Sequence, residues 1–273
     1  MSKTWFITGT SRGFGREWAL AALERGDTVA ATARDTASLD DLVAAHGDSI
    51  LAIALDVTDR AAVDAAVAQT LHRFGRIDVA VNNAGYGQFG MIEEISEEEA
   101  RAQIETNVFG ALWVTQAVLP AMREQRSGHI LQVSSIGGIS AFPNVGIYNA
   151  SKWALEGFSQ SLAAEVADFG IKVTLIEPGG FSTDWGGSSA KHATGLPAYE
   201  EFRAKAAEQR ATRTASPGDP VATRGPVLEL VDSPNPPLRV FFGAAPLGIA
   251  TADYETRLAT WREWDHLSKA AQG

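Results

Sequence analysis

Tyr148 and Lys152 are four residues apart, so a helix through them would place a phenol and an ammonium on one face. The pairing has a chemical use. A tyrosine titrates near pH ~10, too high for efficient proton transfer at neutral pH. A neighbouring ammonium favours the phenolate and is expected to lower that value by about one to three units. Such pairs arise often by chance, so this one needs company. Ser134 and Ser135 close an apolar run upstream, and a hydroxyl there could donate to a substrate oxygen that gains alkoxide character. Neither serine sits in a Gly-x-Ser-x-Gly elbow, which argues against a hydrolase nucleophile. Asn107 lies in an otherwise helical segment, where its amide can bond to backbone and disturb the helix.

A second group of residues suits a phosphate-bearing cofactor. Thr8-Gly9-Thr10-Ser11-Arg12-Gly13-Phe14-Gly15 follows an apolar run and leads into a helical pattern. Glycines there let the backbone turn sharply and approach a pyrophosphate, and a helix start offers free N–H groups and a positive dipole end. Dinucleotide-binding folds of this kind that use NAD place an acidic residue at the end of the second strand, on the ribose 2′-OH. This chain has Arg34 there, followed by Asp35. A guanidinium can take a 2′-phosphate through paired hydrogen bonds, and Arg12 adds a second charge beside it. The alternative is a solvated Arg34 with Asp35 as helix cap or ribose ligand, which permits NAD(H).

These residues must be held by something. Short apolar runs at 5–8, 28–33, 50–55, 78–81, 129–133 and 172–176 read as strands buried on both faces. Between them, 61–74 places Val63, Val67, Leu71 and Phe74 on one helical face, and a helix at 16–25 ends at Gly26. This alternation predicts an α/β doubly wound parallel sheet, a Rossmann fold in one domain spanning 1–273. The alternation breaks after Pro178-Gly179; about 182–215 reads as a substrate lid with a helix near 199–210. A last strand at 239–242 and a helix follow, within about 238–268. That helix lines up Tyr254, Leu258, Trp261, Trp264 and Leu267, which predicts core packing or a subunit contact.

Gly9-x-x-x-Gly13-x-Gly15, Asn82-Asn83-Ala84-Gly85, Tyr148-x-x-x-Lys152 and Pro178-Gly179 occur in the order and spacing of the short-chain dehydrogenase/reductase family, which the chain resembles from Thr4 to about Thr183. Residues 82–87 and 134–138 also resemble the 17β-hydroxysteroid dehydrogenase-like subgroup. The resemblance implies hydride transfer between a nicotinamide cofactor and a carbonyl or secondary alcohol. It implies Tyr148 as proton donor and acceptor, and Lys152 as its electrostatic partner and a ligand of the nicotinamide ribose. It implies Ser135, thirteen residues before Tyr148, as the hydroxyl on the substrate oxygen, and Asn107 as holder of a water that links the lysine to solvent. Gly9, Ser11, Arg12, Gly13, Phe14, Gly15 and Arg34 would cradle the phosphates. Asp56 and Val57 would lie on the adenine, Asn83, Ala84 and Gly85 on the ribose, and Pro178, Gly179, Phe181 and Thr183 at the nicotinamide end. Arg12 and Arg34 occupy positions similar to those of NADP-preferring members, so NADP(H) is expected ahead of NAD(H). A helix cap is the other reading of Asp56. Phe89, Met91, Phe142, Trp185 and Phe202 are expected to give a ketone or alcohol substrate an apolar wall, or simply to pack the lid. A homodimer or homotetramer is the implied assembly.

Composition sets outer limits. A net charge of −10 disfavours nucleic acid and anionic membranes, and no apolar run is long enough to span a bilayer. With no cysteine and five scattered histidines, no metal site is expected. The lack of cysteine fits a reducing cytoplasm, and the N-terminus reaches Gly9 too early for a signal peptide's apolar core. Two rivals stand beside the reductase: a sugar-nucleotide epimerase, whose glycine turn is usually spaced differently, and a non-catalytic NADP(H)-binding redox sensor.

Overall fold

The computed structural model describes residues 2–211 and 216–272. Five of its strands lead from the amino end to the centre of the chain: β1 (Thr4–Thr8), β2 (Thr28–Ala33), β3 (Ile50–Ala54), β4 (Val79–Asn82) and a two-residue β5 (Gln88–Phe89). Four more follow: β6 (Gly128–Val133), β7 (Ile171–Pro178), a two-residue β8 (Lys191–His192) and β9 (Arg239–Phe242). Seven of them form one sheet in the order β3-β2-β1-β4-β6-β7-β9, every neighbour parallel. The order reverses direction on either side of β1, which is the doubly wound pattern.

Alternation along each strand explains the layers. Trp5 and Ile7 face one side with Val29, Ala31, Leu131 and Ile176. There they meet Trp18 of α1 (Gly13–Glu24), Leu42 of α2 (Asp40–His46) and Val227 of α8 (Arg224–Asp232). Phe6, Ala30, Ala80 and Ile130 face the other side. Their partners are Val63 and Val67 of α3 (Arg60–Phe74), Val118 of α5 (Ala111–Gln125) and Leu162 of α6 (Gly146–Val166). Burying a side chain of this size contributes roughly 1.5–3 kcal/mol, so the two stacks carry most of the stability. The two indole N–H groups buried there are paired: Trp5 Nε1 donates to Asp27 and Trp18 Nε1 to Thr223, each at 2.8 Å.

Local signals set the element ends. Gly26 (φ +91°) follows α1, and Gly75 (φ +79°) ends α3, whose start is capped by Asp59 accepting from Ala62 N. Ser96 and Glu99 close a reciprocal capping box on α4 (Glu97–Ile104). Two expectations are corrected. The cap of α3 is Asp59, while Asp56 accepts from Thr58 N and Oγ1 in the preceding turn. The C-terminal helix breaks at Trp264 into α9 (Pro246–Glu263) and α10 (Asp265–Ala270), and Tyr254, Leu258, Trp261, Trp264 and Leu267 are all exposed rather than packed in the core. The apolar period was real, but this part of the chain lies outside the two stacks.

After β7 the chain runs over the carboxyl ends of the strands and carries α7 (Glu200–Ala211). This stretch is tied to the loop before α4. β8 pairs with β5, Arg203 pairs with Glu94, and the Tyr199 hydroxyl donates to Glu93. The expected lid ends at about 215, and its last residues, 212–215, lie outside the described residues. Among the described residues no helix is long and apolar enough to cross a membrane.

Candidate active site

Ser135 stands just past the end of β6 in extended backbone, and Tyr148 and Lys152 sit one turn apart near the start of α6, all three on the cleft wall. Gly137 lets them meet. A Cβ there would lie 2.9 Å from Asn149 Oδ1 and 3.3 Å from both Ser135 Oγ and Tyr148 Cε1. Ser135 Oγ accepts from Gly137 N at 2.9 Å, which fixes its rotamer. Lys152 Nζ donates to Val133 O at 2.7 Å and lies 5.8 Å from the centre of the Tyr148 ring. Ser134 points the other way, toward Glu156, with a buried hydroxyl.

Burial governs both titrations. It pushes the Tyr148 phenol up to about 12, with the Ser135 hydroxyl opposing. It brings the Lys152 ammonium down to about 8, with Glu156 opposing. The sequence predicted a lowered tyrosine, and the structure reverses that sign. The ammonium is present, 5.8 Å from the ring centre, but the phenol's loss of water outweighs it.

Asn107 falls in a π-helical turn, Glu105–Gly110, between α4 and α5. Single π turns widen a helix by one residue and often mark functional sites. Its Nδ2 donates to Tyr86 O and Ser151 Oγ at 3.1 Å, and its Oδ1 accepts from Tyr86 N at 3.2 Å. The side chain thus clamps the backbone after Gly85, where a Cβ would come within 3.0 Å of Asn107 Oδ1 and 3.8 Å of Lys152 Nζ. Asn107 is buried behind the cleft wall rather than on it.

The glycine turn forms the opposite end. Gly9 and Gly13 have φ of +70° and +57°, conformations that favour glycine. Gly15 lies behind the turn, and a Cβ there would come 2.4 Å from Gly9 O and 2.5 Å from Asn83 Nδ2. Asn83 ties the turn to β4 by donating to Thr8 O and Gly9 O at 2.9 and 3.0 Å. Ser11, Arg12, Gly13, Arg34, Asp56, Val57, Asn83, Ala84, Gly85, Pro178, Gly179, Phe181 and Thr183 share one cleft of 1240 Å³ with Ser135, Tyr148 and Lys152. Phe14 lines it as well, packed edge to face against Phe181 with ring centres 5.0 Å apart. Asp35 accepts from Ala37 N as a cap, and Arg34 is exposed with no ion pair among the described residues. Arg12 pairs with Asp184 and donates to Ser188 Oγ at 2.9 Å.

Residues 3–194 match the family model for short chain dehydrogenase. The chain belongs to that family. It is 43% identical over 273 residues to an oxidoreductase of Botryotinia fuckeliana, covering 99% of this chain and 100% of the relative. A short-chain dehydrogenase from Streptomyces avermitilis superposes with a TM-score of 0.92 at 43% identity, over 99% of each chain. Two ligand-bound structures are also similar. ElxO with NADP bound has a TM-score of 0.76 at 25% identity over 91% of this chain and 100% of that one. A Brucella melitensis 3-ketoacyl-(acyl-carrier-protein) reductase with NADH has 0.74 at 28% over 88% and 97%.

In this short-chain dehydrogenase the end of the cleft beside Tyr148 is lined by apolar side chains. Phe89, Phe142, Trp185 and Phe202 line it as expected, whereas Met91 is buried at the foot of the loop before α4 and stays off the wall. Trp185 sits with its ring centre 5.0 Å from Tyr148 and 5.2 Å from Phe89. Gly87 leaves room for it, since a Cβ there would approach Trp185 to 2.8 Å. Ala245 and Ile249, beside and at the start of α9, also reach the wall. Nothing in their spacing signalled it, because only the turn after β9 swings them over the cleft.

Proposed function

We propose that this short-chain dehydrogenase reduces the carbonyl of a hydrophobic ketone with NADPH, and oxidises the corresponding alcohol in reverse. The observation that carries the reading is the juxtaposition in one cleft of Tyr148, Ser135 and Lys152 with the glycine turn. The cradle fits a dinucleotide, because Gly9 and Gly13 line the cleft with positive φ and no side chain to hold a ligand off the backbone. A nicotinamide dinucleotide bound there supplies the hydride for reduction and takes it back in oxidation.

The chain's own residues do the rest. Tyr148 gives its hydroxyl proton to the carbonyl oxygen as the carbonyl carbon becomes saturated, so the ketone gains one hydride and one proton. Ser135 donates a hydrogen bond to that oxygen and favours its alkoxide character. Lys152 stabilises the phenolate left behind, and Asn107 holds the backbone next to it in register. Arg34 and Arg12 would pair with the 2′-phosphate of NADP(H), and Arg34 is the one free to do so without surrendering a carboxylate. That NADP and NADH each occupy similar proteins leaves this preference to the two arginines. The apolar end suits a bulky ketone. We further assign the enzyme to the cytoplasm and to a homodimer or homotetramer, in which the exposed face of α9 and α10 would find a partner.

The test is consumption of NADPH against a panel of ketones and aldehydes, wild type beside Tyr148→Phe, with NADH in parallel. Turnover lost in the variant with cofactor binding retained supports the reading. Cofactor binding without turnover across the panel favours the redox-sensor alternative, and preference for NADH removes the role given to the arginines.

A further inference from the structure

Beneath the catalytic serine lies a pair of buried acids that the reaction above does not use. Glu156 sits one helical turn beyond Lys152 on α6, and Glu177 projects from β7 two residues before Gly179. Their side chains are 7% and 1% exposed. One guanidinium serves both. Arg239 from β9 donates from Nε to Glu156 Oε2 at 2.8 Å and lies 3.5 Å from Glu177 Oε1, while its Nη2 is held by Gln160 at 2.9 Å. Glu156 Oε1, Glu177 Oε1 and Ser134 Oγ are buried without a hydrogen-bond partner in good geometry among the described residues. Gly138 brings two of these together, since a Cβ there would lie 2.7 Å from Ser134 Oγ and 3.4 Å from Glu156 Oε1.

Two buried carboxylates cannot both stay ionised on one cation without a large desolvation penalty. A proton shared between them supplies the donor that the Oε1 atoms lack. Burial raises both acids, Glu177 up to about 8 with Glu156 as a further cause. The charged groups that face this cluster are Lys152 from α6 and Arg239 from β9, with the neutral Ser134 at the end of β6 and Tyr148 one turn before Lys152. Of the two charged groups, Lys152 is the one inside the catalytic group. Its hydrogen bond goes to the uncharged Val133 carbonyl, and Glu156, four residues on along the same helix, is the negative charge that opposes its desolvation.

We propose that Glu156 is a positioning residue for Lys152: with Glu177 and Arg239 it forms a buried acid pair holding one proton, and its remaining charge keeps Lys152 an ammonium at neutral pH. This rests on the reading of Lys152 as partner of the tyrosine. The two acids then act in opposite senses. Removing Glu156's charge leaves Lys152 to desolvation alone, whereas removing Glu177's frees Glu156 to ionise fully against Arg239.

The deciding readout needs no substrate. Lysine labelled with 13C at Cε is titrated by NMR in the full chain, with Lys152→Met to assign the resonance. Glu156→Gln is expected to lower the Lys152 midpoint by about one pH unit, and Glu177→Gln to raise it by a smaller amount. Midpoints unchanged in both variants, or moved the same way in both, overturn the proposal. Should Glu156→Gln fail to fold, Glu177→Gln decides alone, a midpoint at or below wild type overturning it. Loss of turnover in Glu156→Gln with an unmoved midpoint marks a merely structural role and overturns it too. Failure of the catalytic reading would show instead as turnover in Tyr148→Phe, which leaves the titration untouched.

Discussion

His129 makes the stability of the strand that delivers Ser135 depend on pH. It is the second residue of β6 and is buried, with Nε2 2.9 Å from Thr174 Oγ1 on β7 and no partner for Nδ1 among the described residues. Burial holds the ring at about 3 instead of 6.5, with Lys172 and Lys3 adding repulsion to a charged imidazole. The folded value is depressed, so between those two values the unfolded chain binds more protons than the folded one. The stabilisation is therefore present above pH 6.5 and lost as pH falls toward 3. At pH 5 the linkage amounts to about 2 kcal/mol relative to pH 7.5, taking 1.36 kcal/mol per unit. Glu177 contributes the opposite slope. Its folded value is raised to about 8, so its share is full below 4.5 and is lost as pH rises through 8. A variant separates the two. Urea unfolding of wild type and His129→Gln at pH 7.5 and pH 5 should show wild type losing about 2 kcal/mol more than the variant on acidification. The glutamine amide can keep a hydrogen bond to Thr174 and stays neutral, so the comparison concerns slopes rather than absolute stability. Equal slopes within about 0.5 kcal/mol would refute the reasoning.

Other expectations follow from the site. Ser135→Ala should lower kcat by about 10²-fold with little change in the KM for cofactor, measured by steady-state kinetics with the best ketone. Gly15→Ala should destabilise the chain by about 1–3 kcal/mol in chemical denaturation, because the new Cβ meets the fixed Gly9 carbonyl rather than a movable side chain. Arg34→Ala should weaken NADPH binding about tenfold and leave NADH unchanged, read by fluorescence titration of each cofactor. Asp184→Asn should tighten NADPH but not NADH in the same titration, since it releases Arg12; an equal effect on both would remove Arg12 from the phosphate site.

The sheet was legible because its strands are buried on both faces and so read as unbroken apolar runs, down to the end of β1 at Thr8. The pairing of β5 with β8 was not legible, since two residues in a stretch of glycine and serine carry no period. At the site, spacing was enough to put Tyr148 and Lys152 on one face and to flag Asn107 as a break in its helix. It did not reveal that Arg12 is tied to Asp184, because that contact spans 172 residues of chain. The stripe across α9 and α10 had a legible period, but of its two readings core packing is excluded by its exposure, since nothing local distinguishes a core stripe from an exposed one. Glu177 did leave a signal, an acid inside the apolar run of β7, and a buried charge of that kind needs a partner.

The reversed sign at Tyr148 carries the main lesson about mechanism. A sequence shows which charges can be neighbours but not how much water each keeps, and here desolvation outweighs proximity for both members of the pair. With the tyrosine raised to about 12 and the lysine lowered to about 8, the phenol holds its proton firmly, which suits a proton donor in reduction more than a base in oxidation. Narrowing that gap takes positive charge beside the phenol, and Lys152 supplies it only while it remains an ammonium. A lysine near 8 is within reach of losing that charge under mildly alkaline conditions, so alcohol oxidation should rise with pH as the phenol approaches its own titration and then fall as Lys152 deprotonates. A profile of oxidation rate from pH 6 to 10 should thus turn over on the alkaline side, and a rate that climbs without a break to pH 10 would mean that the ammonium does not govern the tyrosine.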